Sequence, residues 1–270
     1  MLSIIIVNFN AREHLVNCLQ SLVRDRPAAD HEVIVVDNAS TDGSADSVQV
    51  RFPWVKLIRL PSNAGFAAGN NAGIRVSSGD LLLLLNNDTV VPAGAVDSLI
   101  SALLAHPDAA VAGPRLVDAH GRAELSFGPM ISPFGEFRQK LTMMLHRRNV
   151  PAVSAWVERE TRREQYVDWV SGACLLVHRA DAEAVGLLDE RYFLYTEDVD
   201  FCASIRARGR RVLFTPDCEV VHLRGRSRAT AAAAAHVAYR RSHVAFYEKH
   251  HPAWAPLLKL YLRLKREHPR

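Results

Sequence analysis

Short apolar runs alternate with amphipathic stretches along the first 113 residues. Residues 2–8, 33–36, 81–85 and 109–113 are apolar almost without a break, and 55–60 is apolar apart from Lys56 and Arg59. Runs of this length, apolar on both faces, predict strands buried in a parallel sheet. The stretches between them carry a helical period instead. Leu15, Cys18, Leu19 and Leu22 share one face behind Asn10 and Glu13, which are spaced as a capping box. Val96, Leu99, Ile100, Leu103 and Leu104 form a second stripe that Pro107 ends, and Pro92 suits its first helical position. Asp42 and Gly43 read as a turn that caps a further helix, and after a turn from Pro61 to Gly65 a short helix runs to about Val76. This alternation predicts an open, mostly parallel, Rossmann-like α/β sheet with helices on both faces.

The second half is less regular. Residues 126–165, with Gly128, Pro129, Pro133 and Gly135 early and the basic run 146–148 later, yield no clear element. The strand pattern resumes over 166–177, around Gly172 and Ala173. A helix near Asp181 leads to the aromatic loop 192–195. Glu197, Asp198 and Asp200 then fall in the first turn of a helix ending near Gly209, where acids suit the helix dipole. Strand character returns at 211–215 and at 220–222, before a basic loop with Arg224, Arg226 and Arg228. From Thr230 the chain reads as helical with a break near Pro252. The expected division is one domain, 1–228, with halves 1–113 and 114–228, and a helical tail, 229–270.

In open α/β sheets ligands bind beyond the carboxyl ends of the strands. Asn8, Asp37 and Asp88 all lie at such ends and are expected to share one crevice. Composition narrows the picture only slightly. A hydrophobic fraction of 49% and a charged fraction of 23% are those of a soluble globular protein. A net charge of +4, with a pI near 9.0, permits an anionic partner such as a nucleotide diphosphate or an acidic membrane surface and selects neither. Nucleic acid is not an expected partner. Cys18, Cys174, Cys202 and Cys218 lack metal-binding spacing and read as buried thiols in a reducing compartment. The apolar N-terminus lacks a basic leader and a cleavage site, and neither it nor 81–85 is long enough to span a bilayer. A cytoplasmic location is expected.

Seven segments in order resemble the inverting GT-A glycosyltransferases of family 2, and within them the rhamnosyltransferase-like branch. They are IIIVNFN at 4–10, VIVVDNASTDGS at 33–44, NAGFAAGNNAGI at 63–74, GDLLLLLNNDTVVP at 79–92, WVSGACLLVHR at 169–179, GLLDERYFLYTEDVDFCASIRARG at 186–209 and VVHLRGRS at 220–227. The resemblance covers most of the chain except about 115–165 and the tail. It implies a GT-A fold, a nucleotide-sugar donor, Mg²⁺ or Mn²⁺, and inversion at the anomeric carbon.

On that resemblance Asp88 is the last acid of an Asp-X-Asp motif whose first position here is Asn86. A strand-end carboxylate can hold a hard divalent cation that bridges a diphosphate; the alternative is a cap for the helix after Pro92. His222 is implied as a second metal ligand, against a structural role. Asp37 is implied to read the base or ribose, against an ordinary turn acid. Asn8, Asn63, Gly65, Asn71, Asn87 and Gly172 are implied to line the nucleotide-sugar pocket, with Gly69 and Gly73 read either that way or as packing glycines. Asp198 is implied as the general base that takes the acceptor proton, with Glu197 or Asp200 carrying some of the role; the alternative is that these acids only cap a helix. Arg224 and Arg226 would grip the diphosphate or form a lid, or stay solvated.

The tail, 256–266, mixes leucines with cations. It reads equally as a basic amphipathic helix on an anionic leaflet and as a packing helix. Donor and acceptor are expected to be a dTDP- or UDP-sugar and a glycan or polyprenyl-diphosphate-linked intermediate. Two other readings stand beside this one. A nucleotidyltransferase would need a triphosphate loop, for which 8–13 is a poor candidate. A sugar-nucleotide- or polysaccharide-binding module without catalysis is disfavoured by Asp88 and Asp198 standing together.

Overall fold

The computed structural model describes residues 1–223 and 227–265. The first half runs β1 (Leu2–Asn8), α1 (Arg12–Arg24), β2 (His31–Asp37), α2 (Ser44–Arg51), β3 (Lys56–Arg59), α3 (Gly65–Val76), β4 (Leu81–Asn86), β5 (Thr89–Val90), α4 (Ala95–Ala105) and β6 (Ala109–Val117). The second adds β7 (Phe127–Gly128), α5 (Pro133–Arg147), α6 (Pro151–Glu160), β8 (Gln165–Val167), β9 (Trp169–Val170), β10 (Cys174–His178), α7 (Arg179–Ala184), α8 (Glu197–Ala207), β11 (Arg211–His222), α9 (Ser227–His250) and α10 (Ala255–Leu264).

Among the described residues nine strands form one sheet, in the order β3-β2-β1-β4-β10-β6-β11-β5, with β8 pairing the start of β11 on the edge whose end β5 takes. The first half supplies the expected parallel block. β1 pairs in parallel with β2 from Leu2↔His31 to Asn8↔Asp37, and with β4 from Leu2↔Leu81 to Val7↔Asn86. That register places Asn8, Asp37 and Asn86 along one edge. The second half inserts β10 antiparallel between β4 and β6, while β11 runs parallel to β6.

Alternation along each central strand feeds two cores, as a period of two requires. Ile4, Ile6, Leu83 and Leu85 pack with α1, α2 and α4 on one face. Ile5, Leu82 and Leu84 pack with α3, α8, α9 and α10 on the other. Gly69 and Gly73 lie on the α3 face against β1, where a Cβ would meet Val7 at 2.8 Å and Ile5 at 2.6 Å. The four cysteines are buried free thiols, and burial pushes Cys18, Cys202 and Cys218 up to about 12. No helix among the described residues is long and apolar enough to cross a membrane.

Three local expectations change. Asn10 and Glu13 form no capping box. Asn10 turns to φ 49° and accepts from Thr41 N at 2.8 Å, while Asp42 receives Arg12 N at 2.9 Å from outside the helix. Pro92 is not a first helical residue, because β5 first pairs with β11 and α4 begins only after Gly94 at φ 72°. Residues 126–165, expected to be irregular, contain two helices. Ser132 caps α5 by accepting from Gly135 N at 3.1 Å, with Pro133 in its first turn.

Candidate donor and catalytic site

The crevice floor is a set of strand-end amides and acids joined side chain to side chain. Asn8 Nδ2 donates to Asp37 Oδ1 at 3.3 Å and to Ser40 Oγ at 3.1 Å, and Asn8 Oδ1 accepts from Asn87 Nδ2 at 2.8 Å. Asp37 Oδ2 accepts from Ser40 N at 3.0 Å. Asp37 is 3% exposed, so its first task is to hold the turn after β2, and each oxygen keeps a lone pair. Asn38, which the sequence did not single out, bridges to the next loop by donating to Gly65 O at 3.0 Å. Asn63 accepts from Gly65 N at 3.0 Å. Gly65 sits at φ 88°, and a Cβ there would lie 2.3 Å from Phe193 O. This glycine therefore lets the aromatic loop dock, with Phe66 N donating to Phe193 O at 2.7 Å. Asn71 is not brought to the crevice. It is buried, and its amide holds Leu188 and Glu190 through bonds of 2.8–3.1 Å.

Asp88 and His222, remote in sequence, meet through the β5–β11 ladder. Thr89 stands opposite His222, and Leu223 N donates to Asp88 O at 2.9 Å. His222 Nε2 lies 3.4 Å from Asp88 Oδ1, and its Nδ1 lies 3.2 Å from Glu124 Oε2. Burial disfavours the imidazolium, but the hydrogen bonds and charges of Asp88 and Glu124 outweigh it and push His222 up to about 9. Glu124 is 8% exposed and was missed in the sequence. A turn around Gly121 at φ 74° delivers it, closed by the Val117↔Ala123 bridge and by Glu124 N donating to Leu116 O at 2.8 Å. The Asp118–Gly121 turn chemistry was the available signal.

Asp198 reaches the same edge from the other side. Asn86 N donates to Ala173 O at 2.9 Å, which places Gly172 just past β4, and Gly172 N donates to Asp198 Oδ2 at 2.8 Å. A Cβ on Gly172 would come within 3.3 Å of the Asp198 Cβ, so the glycine permits this approach. Burial raises Asp198 above the ordinary carboxylate range, and the amides of Gly172 and Val199 offset part of that rise. Glu197 is buried, its Oε2 has no hydrogen-bond partner, and burial with the neighbouring Asp198 charge raises it well above its ordinary value. Asp200 plays a different part. It is 1% exposed and clasped by Tyr192 Oη at 3.1 Å, Lys249 Nζ at 2.8 Å and His250 Nε2 at 2.6 Å, so it ties α8 to α9. Arg224 and Arg226 lie outside the described residues.

Residues 3–162 match the profile of the family described as "Glycosyl transferase family 2". The chain belongs to that family. This glycosyltransferase is 30% identical to the N-acetylglucosaminyl-diphospho-decaprenol L-rhamnosyltransferase of Mycobacterium tuberculosis, over 95% of this chain and 88% of the relative. It is 27% identical to the low-salt glycan biosynthesis hexosyltransferase Agl10 of Haloferax volcanii, over 82% of this chain and 65% of that one. Among solved structures it resembles the mannosyltransferase PcManGT of Pyrobaculum calidifontis in complex with GDP-Man and Mn²⁺, with a TM-score of 0.60 at 18% identity, over 95% of this chain and 67% of that one. It also resembles GalNAc-T7 with UDP, GalNAc and Mn²⁺, at TM-score 0.59 and 17% identity, where it spans 83% of itself but only 44% of that chain. The glycosyltransferase thus has the GT-A fold.

Among the described residues no group of three His, Cys, Asp or Glu side chains is disposed to hold a metal ion. What the glycosyltransferase offers is one carboxylate, Asp88, beside one imidazole, His222. That pair suits a cation that keeps several sites for water and phosphate oxygens, as Mg²⁺ and Mn²⁺ do, and not a closed protein cage. Glu124 on the far ring nitrogen is placed as the partner that orients a ligating histidine.

Proposed function

We propose that this protein is a metal-dependent inverting glycosyltransferase that moves rhamnose or another hexose from a dTDP- or UDP-sugar to a glycan or polyprenyl-diphosphate-linked acceptor. The observation that carries this reading is the meeting of Asp88 with His222 at 3.4 Å across the strand ends, with Asp198 anchored to Gly172 at the same edge. Residues 1–113 would hold the nucleotide, and 114–228 would receive the acceptor. Asp88 and His222 would hold a Mg²⁺ or Mn²⁺ ion that, when bound, neutralises charge on the leaving diphosphate.

Asp198 takes the proton of the acceptor hydroxyl while that oxygen attacks the anomeric carbon. The new C–O bond forms as the bond to the diphosphate oxygen breaks, and the nucleoside diphosphate leaves with the electron pair. One displacement inverts the centre and needs no covalent sugar–enzyme intermediate. A raised carboxylate is the stronger base and serves this step better than an ordinary one. Burial and the neighbouring charge raise Glu197 more than Asp198, so Asp198 is the member of the pair that ionises more readily.

Helix α10 supports a place at an anionic membrane surface on the cytoplasmic side. Leu257, Leu260, Tyr261 and Leu264 are exposed, Lys259, Arg263 and Lys265 lie among them, and the helix has no acid.

The test is a screen of dTDP- and UDP-sugars for nucleoside diphosphate release, with and without a chelator. Release that needs Mg²⁺ or Mn²⁺ is expected. Release of pyrophosphate from a nucleoside triphosphate would favour a nucleotidyltransferase, and no turnover of any donor would favour a binding module.

A further inference from the structure

The segment from Glu124 to Phe127 separates two compartments. On the catalytic side Glu124 meets His222 at 3.2 Å, and Ser126 O accepts from Ser171 N at 2.8 Å, one residue before the glycine that anchors Asp198. On the other side Leu125 and Phe127 line a space beneath the α5–α6 hairpin. Two cavities adjoin there and share Leu125 and Thr142. The narrow one, about 190 Å³, is bounded by Arg122, Arg147 and His146, with Asp118 and Glu124 as its acids. Asp118 already accepts from the amides of His120 and Arg122, and Glu124 from His222. The broad one, about 670 Å³, is walled by Phe127, Pro129, Val153, Trp156 and Val167, with Arg138 among its polar residues. That volume is within the range of roughly 300–1,000 Å³ typical of small-molecule sites.

The α5–α6 hairpin that covers this space carries exposed apolar side chains, at Trp156 in the broad cavity and on the face of α5 turned away from both cavities. Phe137, Leu141 and Met144 are 70%, 40% and 41% exposed at i, i+4 and i+7 of α5, and Trp156 is 39% exposed on α6. Exposed apolar stripes of this kind mark contact with an apolar partner. Within the space itself the narrow cavity, which includes Glu124, holds Arg122 and Arg147, and the broad one holds the apolar walls, so it suits an occupant with a negative group and an apolar chain in that order.

We infer that this double cavity binds the lipid part of the acceptor: the isoprenoid chain in the broad cavity against Phe127 and Trp156, and the diphosphate in the narrow one beside Arg122 and Arg147. The acceptor sugar then lies over 124–127, facing Asp198. This rests on the lipid-linked acceptor proposed above and adds where its chain goes. It also gives a function to the insert 126–165.

The test uses farnesyl diphosphate as a water-soluble probe, with Trp156 as reporter. Wild-type fluorescence should change saturably, and the change should vanish in Trp156→Phe. Ala152→Trp fills the broad cavity from an exposed position, and Val153→Phe fills it from a second one. In variants that melt like wild type, KM for a farnesyl-diphosphate-linked sugar should rise at least tenfold. The KM for the same sugar diphosphate without a chain, and the rate of donor hydrolysis, should stay unchanged. Unchanged farnesyl diphosphate binding and unchanged KM in both folded variants would overturn the inference. So would a Trp156 signal given by anionic vesicles but not by farnesyl diphosphate, which would make this face a membrane contact. If wild type binds farnesyl diphosphate at Trp156 yet glycosylates no prenyl-linked sugar, the cavity assignment holds and the acceptor reading fails.

Discussion

The strand-end floor around Asn8, Asp37 and Asp88 and the start of α8 meet at one edge of the sheet, and their polar groups are held in different ways. On the floor Asn8 joins Asp37, Ser40 and Asn87, and the chain Asp88–His222–Glu124 runs on from it, so charges are wired to side chains far away in sequence. At α8 the carboxylate of Asp198 is held by the backbone amides of Gly172 and Val199, and Glu197 has an oxygen with no partner. Side-chain wiring fixes charge in place, which suits a group that binds a diphosphate and must not move. Backbone anchoring with little charge compensation leaves Asp198 raised and ready to take a proton. Two residues on, Asp200 shows what full compensation does on the same helix: between Lys249, His250 and Tyr192 it is a structural anchor.

Breaking the floor should have the largest effect. Asp88→Ala should abolish metal-dependent donor binding and lower turnover by on the order of a thousandfold, the share of several kcal/mol that a bridging cation supplies; titration of nucleoside diphosphate with and without Mn²⁺ checks it. Glu124→Ala leaves both ligands and removes only what orients His222. Mn²⁺ affinity should fall roughly 10- to 100-fold with metal-free nucleotide binding unchanged, as read by electron paramagnetic resonance of free Mn²⁺.

On the other side Asp200→Ala should cost roughly 2–3 kcal/mol in denaturant unfolding, because it strands His250 and leaves Lys249, 29% exposed, with Asp189 at 2.9 Å as its remaining acid. A smaller effect is expected where α5 meets α9. Glu136 is half-buried, and His243 and Lys140 hold it down at about 2 against the desolvation that would raise it. A depressed carboxylate adds stability above its unfolded value near 4.5 and loses it as pH falls from there towards about 2. Glu136→Gln should therefore be roughly 1–2 kcal/mol less stable than wild type at pH 7, and the gap should close between pH 4.5 and 2 in urea melts.

Most of the floor was legible in the sequence, because a run such as Leu81–Leu85 can only be a strand buried on both faces, and its polar end must then lie at the sheet edge. The pairing of Asp88 with His222 was implied by the family resemblance and not by the strand pattern, because the short β5 that carries it went unread. Asn71 and Asp200 were harder. An amide or acid that closes a loop carries the same letters as one that meets a ligand, and only the positions of Leu188 and Lys249 separate the two. The helices of 126–165 were hidden because Phe137, Leu141 and Met144 keep a helical spacing but remain exposed, beside cations and early prolines that blur the period. Glu124 was lost with them, since its role depends on a turn and not on an element.

The contrast between the two sides is tested most directly by measuring donor affinity and turnover together in Asp198→Asn. Donor affinity with Mn²⁺ should match wild type, while turnover falls by about two to four orders of magnitude, the range for loss of a general base. The wild-type rate should also fall with acid at a pH above the ordinary carboxylate range, since a raised Asp198 must be ionised to act. Turnover in Asp198→Asn at the wild-type rate would contradict the assignment of that residue as the base.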